Sequence, residues 1–148
     1  MTWKNLPDNI DEWFGFVYLI TRLNANAGEP QYYVGCKQFH SKTKRPPLKG
    51  NKRKRTVIKE SDYETYYGSS EELKKAVEKH GKENFKREIL HLCETKWIMK
   101  WLEAMEQIKR KVLFDDEYYN GIIHIRLNKI PKSIKEKYKN VNDLFLGS

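Results

Sequence analysis

The chain has 148 residues, with 29 Lys+Arg against 20 Asp+Glu and a formal net charge of +9. That length suits about one domain and buries a core without help from disulfides or metal, and the 39% hydrophobic and 13% aromatic content excludes wholesale disorder. No apolar run approaches the roughly 18–20 residues of a membrane helix, the polar first ten residues carry no secretory h-region, and Cys36 and Cys93 lack the CxxC spacing of a zinc site, so a cytoplasmic location with free thiols is expected.

Residues 1–13 read as an irregular arm, with Trp3 and Trp13 as anchors. Residues 14–21 (FGFVYLIT) are apolar, aromatic and β-branched, the signature of a strand. The turn-rich NANAGEP follows, then a second strand over 31–37 (QYYVGCK), so the pair predicts a β-hairpin. Gly35 inside that strand marks a bulge or a close backbone approach. Residues 38–60 read as a basic loop or extended arm. Between 42 and 59 it carries Lys42, Lys44, Arg45, Lys49, Lys52, Arg53, Lys54, Arg55 and Lys59 and no acid, while the rest of the chain is formally neutral. A local basic block on a neutral globule points to a polyanionic partner. Pro46, Pro47 and Gly50 argue against an amphipathic membrane helix, so nucleic acid is the expected partner and membrane is not. The alternative is a solvated loop or a localisation tract.

Tyr63, Tyr66 and Tyr67 lead into Gly68-Ser69-Ser70, where a serine before Glu71 and Glu72 predicts a helix N-cap with acids in the first turn. Leu73, Ala76 and Val77 give that helix an apolar stripe, and Gly81 fits its end. Residues 85–93 (FKREILHLC) read as a third strand. Residues 95–112 carry the longest helical pattern, with Trp97, Trp101, Ala104 and Ile108 one turn apart. A turn through Asp115–Asp116 and Tyr118-Tyr119-Asn120-Gly121 follows, then a short strand over 122–127 and a tail with a short amphipathic helix after Pro131.

Adjacent hairpin strands let Tyr18 and Tyr33 project from one face, and Lys37 keeps that face by period-2 alternation. Glu103 falls at the edge of the long helix's apolar stripe, and its i+4 neighbour is Gln107, so a simple Glu–Lys pair does not explain it. A Tyr, Lys, Arg, Glu set has the chemistry of phosphodiester cleavage: a base for water, a carboxylate for a divalent ion, and cations for the charge developing on phosphate. Taken singly, each residue also has an ordinary structural reading. A strand tyrosine usually packs, a helix glutamate usually faces water, an Asn-Gly is usually a turn, and arginines of a basic arm usually touch phosphates.

The ordered set resembles a family. Phe16-Val17-Tyr18 and Tyr33-Val34-Gly35 look like the paired motif of the GIY-YIG nucleases. The runs YYGSSEELKKAVEKHGKENFKREILHL and WLEAMEQIKRKVLFDDEYYNG are similar to the middle and end of phage-encoded homing endonucleases of that family. The resemblance covers roughly 14–126. It implies a small α/β (α+β) domain with a central three-stranded antiparallel sheet flanked by helices, the basic insertion 38–60, and a tail over 127–148. It further implies a Mg²⁺- or Mn²⁺-dependent endonuclease acting on double-stranded DNA, of phage or mobile-element origin and so at work in a host cytoplasm. By the same resemblance Tyr18 and Tyr33 are the active-site tyrosines, one of them the general base. Lys37 assists them, Glu103 is the metal-binding glutamate, Asn120 organises the site, and Gly35 is the turn glycine of the second motif.

The sequence departs from the family pattern at three places. The family's arginine lies on a helix soon after the second motif; here Arg55 aligns only by counting back from Ser69, with Arg53 and Arg45 as other candidates. Lys59 stands where the family often has His or Tyr, leaving that role to Tyr63, Tyr67 or His40. The residues after Arg126 are too few for a large appended DNA-binding domain, so recognition would fall to the basic arm or to a partner. Two further readings stand beside the nuclease: a non-catalytic nucleic-acid-binding module on the same scaffold, and an RNA-associated basic protein supported by composition alone.

Overall fold

A computed structural model describes residues 2–137. Its elements in chain order are β1 (Gly15–Arg22), β2 (Tyr32–Gln38), β3 (His40–Arg45), β4 (Arg55–Glu60), α1 (Glu71–His80), β5 (Phe85–Cys93), α2 (Lys96–Lys109) and α3 (Lys132–Lys137). Three strands form one antiparallel sheet in the order β2-β1-β5. The central strand β1 is buried on both faces, which is why its sequence is continuously apolar instead of alternating. Phe16, Tyr18 and Ile20 face α1, where they meet Leu73 and Val77. Val17 and Leu19 face α2, where they meet Ile98, Met99 and Leu102. The fold is thus a three-layer α/β/α sandwich, the small α+β architecture expected.

Local chemistry explains the element ends. Ser70 Oγ accepts the Leu73 N–H and Gly81 closes α1 at φ 84°. Thr95 Oγ1 caps α2 through the Ile98 N–H. In β5 the pairing with β1 slips between Val17 and Tyr18, skipping Leu90, and this bulge breaks the period-2 pattern of FKREILHLC.

The N-terminal arm is stitched to the body. Lys4 bridges Glu88 of β5, and Trp3 is buried in the α1-side core with its indole N–H donated to the Tyr63 carbonyl. Trp13 is only half-buried against the same core.

Three expectations need correction. The basic segment is not a loop: β3 and β4 form a two-stranded antiparallel ribbon, from His40 opposite Glu60 to Arg45 opposite Arg55. Cationic side chains hid the strands, because a ribbon that buries almost nothing needs no apolar alternation. The long helix ends at Lys109, where Lys111 turns left-handed at φ 54°. Residues 122–127 pair with no strand, since the neighbouring β2 edge is already occupied by residues 117–120. The short helix expected in the tail is α3, with Ile134 in the α2-side core. The remainder of the tail, from 138, lies outside the described residues.

Candidate active site

The site wraps around β2, an edge strand of the sheet. Alternation sends Tyr33, Gly35 and Lys37 to the α1 face and Val34 and Cys36 to the α2 face. Tyr18 lies directly across from Gly35. A Cβ at Gly35 would stand 2.5 Å from the Tyr18 hydroxyl and 3.0 Å from Tyr33 Cε1, so glycine is required for the Tyr18 side chain to pass beneath β2. Tyr18 is itself fully buried, with rings of Trp3, Tyr33 and Tyr66 centred 5.2, 6.1 and 6.1 Å away.

Tyr33 is the tyrosine that reaches solvent space. It lines a cleft of about 570 Å³ together with Cys36, Ser69, Lys100, Glu103 and Asn120. Its hydroxyl is hydrogen-bonded to Ser69 Oγ at 2.9 Å, one residue before the α1 cap. Glu103 comes from α2, on the opposite face, and rounds the edge of β2. Its charge acts on Cys36 on its own face and on Tyr33 on the other. Burial, with Tyr66 and Glu103 adding to it, raises the Tyr33 phenol above its ordinary value although the Ser69 bond works the other way. Burial pushes Tyr18 up further, and Tyr66 and Tyr33 add to it. The Cys36 thiol is pushed up to about 12 by burial and by Glu103, so it stays neutral.

Asn120 acts on the backbone. Tyr118 makes a parallel bridge with Tyr32, and the Tyr119 N–H donates to the Tyr32 carbonyl. Two residues on, the chain substitutes a side chain for a strand. Asn120 Oδ1 accepts the Val34 N–H at 3.0 Å, and its Nδ2 donates to the Val34 carbonyl at 2.8 Å. Gln107 Nε2 donates to the same carbonyl at 3.0 Å. Val34 sits between Tyr33 and Gly35, so this amide clamp fixes the strand that carries the site.

The other expected residues are distributed as follows. Lys37 shares the tyrosine face, but its ammonium is held by Asp62 at 2.6 Å and lies 4.1 Å over the Tyr66 ring. Arg55 is not brought to the cleft. It opens β4 opposite Arg45, five register steps from the base of the ribbon, roughly 16 Å along a strand. Arg53 and Arg45 lie at the same exposed end. Counting back from Ser69 presumed a helix where the chain forms a ribbon. Tyr63 and Tyr67 are buried in the α1-side core, Tyr67 beneath the Arg87 guanidinium, and His40 pairs with Asp11.

Sequence reasoning missed Tyr66, Ser69 as a partner of Tyr33, and Lys100. Only Lys100 carried a readable signal, because it stands three residues before Glu103 and so on the same helix face.

For a metal ion, the cleft offers the carboxylates of Glu103 and Glu72. Among the described residues no cluster of three or more His, Cys, Asp or Glu could hold an ion alone. This donor set fits an ion such as Mg²⁺, which is bound by one or two carboxylates and completes its shell with substrate phosphate and water.

Comparison with known proteins identifies one family. Residues 2–123 match the family model described as "Putative endonuclease segE, GIY-YIG domain". No curated protein and no solved structure matches the chain significantly. The match takes in the N-terminal arm and β1 through Asn120, including the paired motifs Phe16–Tyr18 and Tyr33–Gly35, and the chain belongs to the GIY-YIG family of nuclease domains, of the segE type.

Proposed function

We propose that the protein is a metal-dependent endonuclease that hydrolyses phosphodiester bonds of double-stranded DNA at the Tyr33–Glu103 cleft. One observation carries the reading: residues 70 positions apart in sequence, Tyr33 from β2 and Glu103 from α2, line one cleft with Asn120 locking the strand between them. Glu103 would hold the divalent ion, which when bound supplies a charge that polarises the phosphate. Tyr33, anchored by Ser69 and having given up its own proton to solvent, orients a water against phosphorus and as a phenolate takes its proton while the new P–O bond forms. The bond to the 3′ oxygen breaks, that oxygen takes a proton from solvent, and the products carry 5′-phosphate and 3′-hydroxyl ends. Tyr18 acts as a positioning residue, packed beneath Gly35 and setting the Tyr33 ring.

The ribbon is the DNA grip. Two antiparallel strands are of a size that a major groove admits, and this one exposes Lys42, Lys44, Arg45, Lys49, Lys52, Arg53, Lys54, Arg55 and Lys59. The distance of its arginines from the cleft favours a second reading, a nucleic-acid binder that has lost catalysis.

The test is purified protein on supercoiled plasmid with Mg²⁺ or EDTA between pH 6 and 9. Nicking that requires the metal and rises with pH supports the nuclease, because Tyr33 must lose its proton to serve as base. Binding without nicking supports the second reading.

A further inference from the structure

We infer that Lys100, and no arginine of the ribbon, is the cationic side chain that stabilises the charge developing on the scissile phosphate. The inference rests on the nuclease reading above. Lys100 lies one helical turn before Glu103 on α2 and lines the same cleft as Glu103 and Tyr33. Its ammonium contacts Cys36 Sγ at 3.7 Å, and among the described residues it makes no ion pair. Lys37, the cation on the tyrosine face of β2, is neutralised by Asp62.

A cysteine sulfur is a weak acceptor, so Lys100 loses little when a phosphate oxygen displaces it. A cation without a carboxylate partner that lines one cleft with Glu103 and Tyr33 is placed to stabilise the charge of a pentacovalent phosphate. Position along the substrate path agrees. Lys100 also lines the adjoining groove with Lys37, His40 and Ser41, at the base of the ribbon. A strand gripped by the ribbon therefore passes Lys100 on its way to Glu103.

The experiment compares wild type with Lys100→Ala and Lys100→Arg. Single-turnover cleavage is measured with Mg²⁺, and DNA affinity is measured by fluorescence anisotropy in EDTA, with urea midpoints as a folding check. Lys100→Ala should lower the cleavage rate constant on the order of 10²–10³-fold, while affinity falls less than about fivefold and the midpoint holds. Lys100→Arg should recover cleavage to within about tenfold of wild type, since it keeps the charge. Cleavage by Lys100→Ala within about threefold of wild type overturns the inference. So does a loss confined to affinity, or an Arg variant no better than Ala. Wild-type protein that cuts no DNA in Mg²⁺ overturns the nuclease reading itself, and this inference with it.

Discussion

Replacing Asn120 by alanine removes the clamp on β2 and leaves the rest of the fold in place. Asn120 is buried, and its amide satisfies both the N–H and the C=O of Val34. The carbonyl keeps Gln107 after the substitution, so its loss is about 1 kcal/mol, that of one hydrogen bond. The N–H keeps nothing, and a buried unsatisfied donor costs about 1–3 kcal/mol. We therefore expect Asn120→Ala to lose about 3 kcal/mol by urea titration, and about 6–12 °C in Tm for a chain of this length. Asn120→Asp is the sharper variant. It keeps the acceptor for Val34 N–H but turns a carboxylate oxygen toward the Val34 carbonyl. At pH 7 it should cost at least as much as alanine. Burial raises the pKa of such an aspartate, and the protonated acid can donate to the carbonyl, so its deficit relative to wild type should shrink as pH falls from 7 toward 5. A loss under about 0.5 kcal/mol for Asn120→Ala would refute the claim that this side chain completes the sheet edge.

Gly35→Ala places a methyl within 2.5–3.0 Å of the Tyr18 and Tyr33 rings; it should cost about 1–3 kcal/mol in a urea titration and suppress cleavage by displacing Tyr33. Glu106 is buried between His91 at 2.9 Å and Arg110 at 2.8 Å, and these hydrogen bonds hold its carboxyl down at about 2. Its folded value lies below the unfolded one, so its contribution of about 3 kcal/mol is complete above about pH 4.5 and fades as pH falls toward 2; the slope of urea midpoint against pH across that window should flatten in Glu106→Gln. Replacing Arg53, Lys54 and Arg55 by glutamine should reduce the slope of log affinity against log salt by up to about 2.7, and an unchanged slope would remove the ribbon tip from the DNA interface.

The parts of the fold that obey local rules were legible in the sequence. The unbroken FVYLI run gave a strand, which the fold places at the centre of the sheet, and Ser70 and Gly81 bracketed α1. Thr95 began α2. The ribbon was not legible, because strand prediction relies on apolar alternation and β3–β4 faces water almost everywhere, with even Ile58 at 63% exposed. Counting back from Ser69 leads to Arg55, which the ribbon carries at the end away from its His40–Glu60 base. Tyr18, Tyr33, Gly35, Glu103 and Asn120, the residues the sequence singles out, all lie around β2 in the fold. Their division of labour was not readable. Which tyrosine reaches the cleft depends on the pleat of an edge strand and on a glycine that lets the other pass beneath. The hold of Asn120 on Val34 spans 86 residues, and no sequence period reports such a contact.

The most direct measurement is a side-by-side assay of wild type and Glu103→Ala for plasmid cleavage in Mg²⁺ and for DNA affinity in EDTA. The account expects the variant to lose cleavage on the order of 10³-fold while binding DNA within a few-fold of wild type, since Glu103 holds the ion and the ribbon holds the DNA. A Glu103→Ala protein that cuts as fast as wild type would contradict the assignment of the cleft as the catalytic centre.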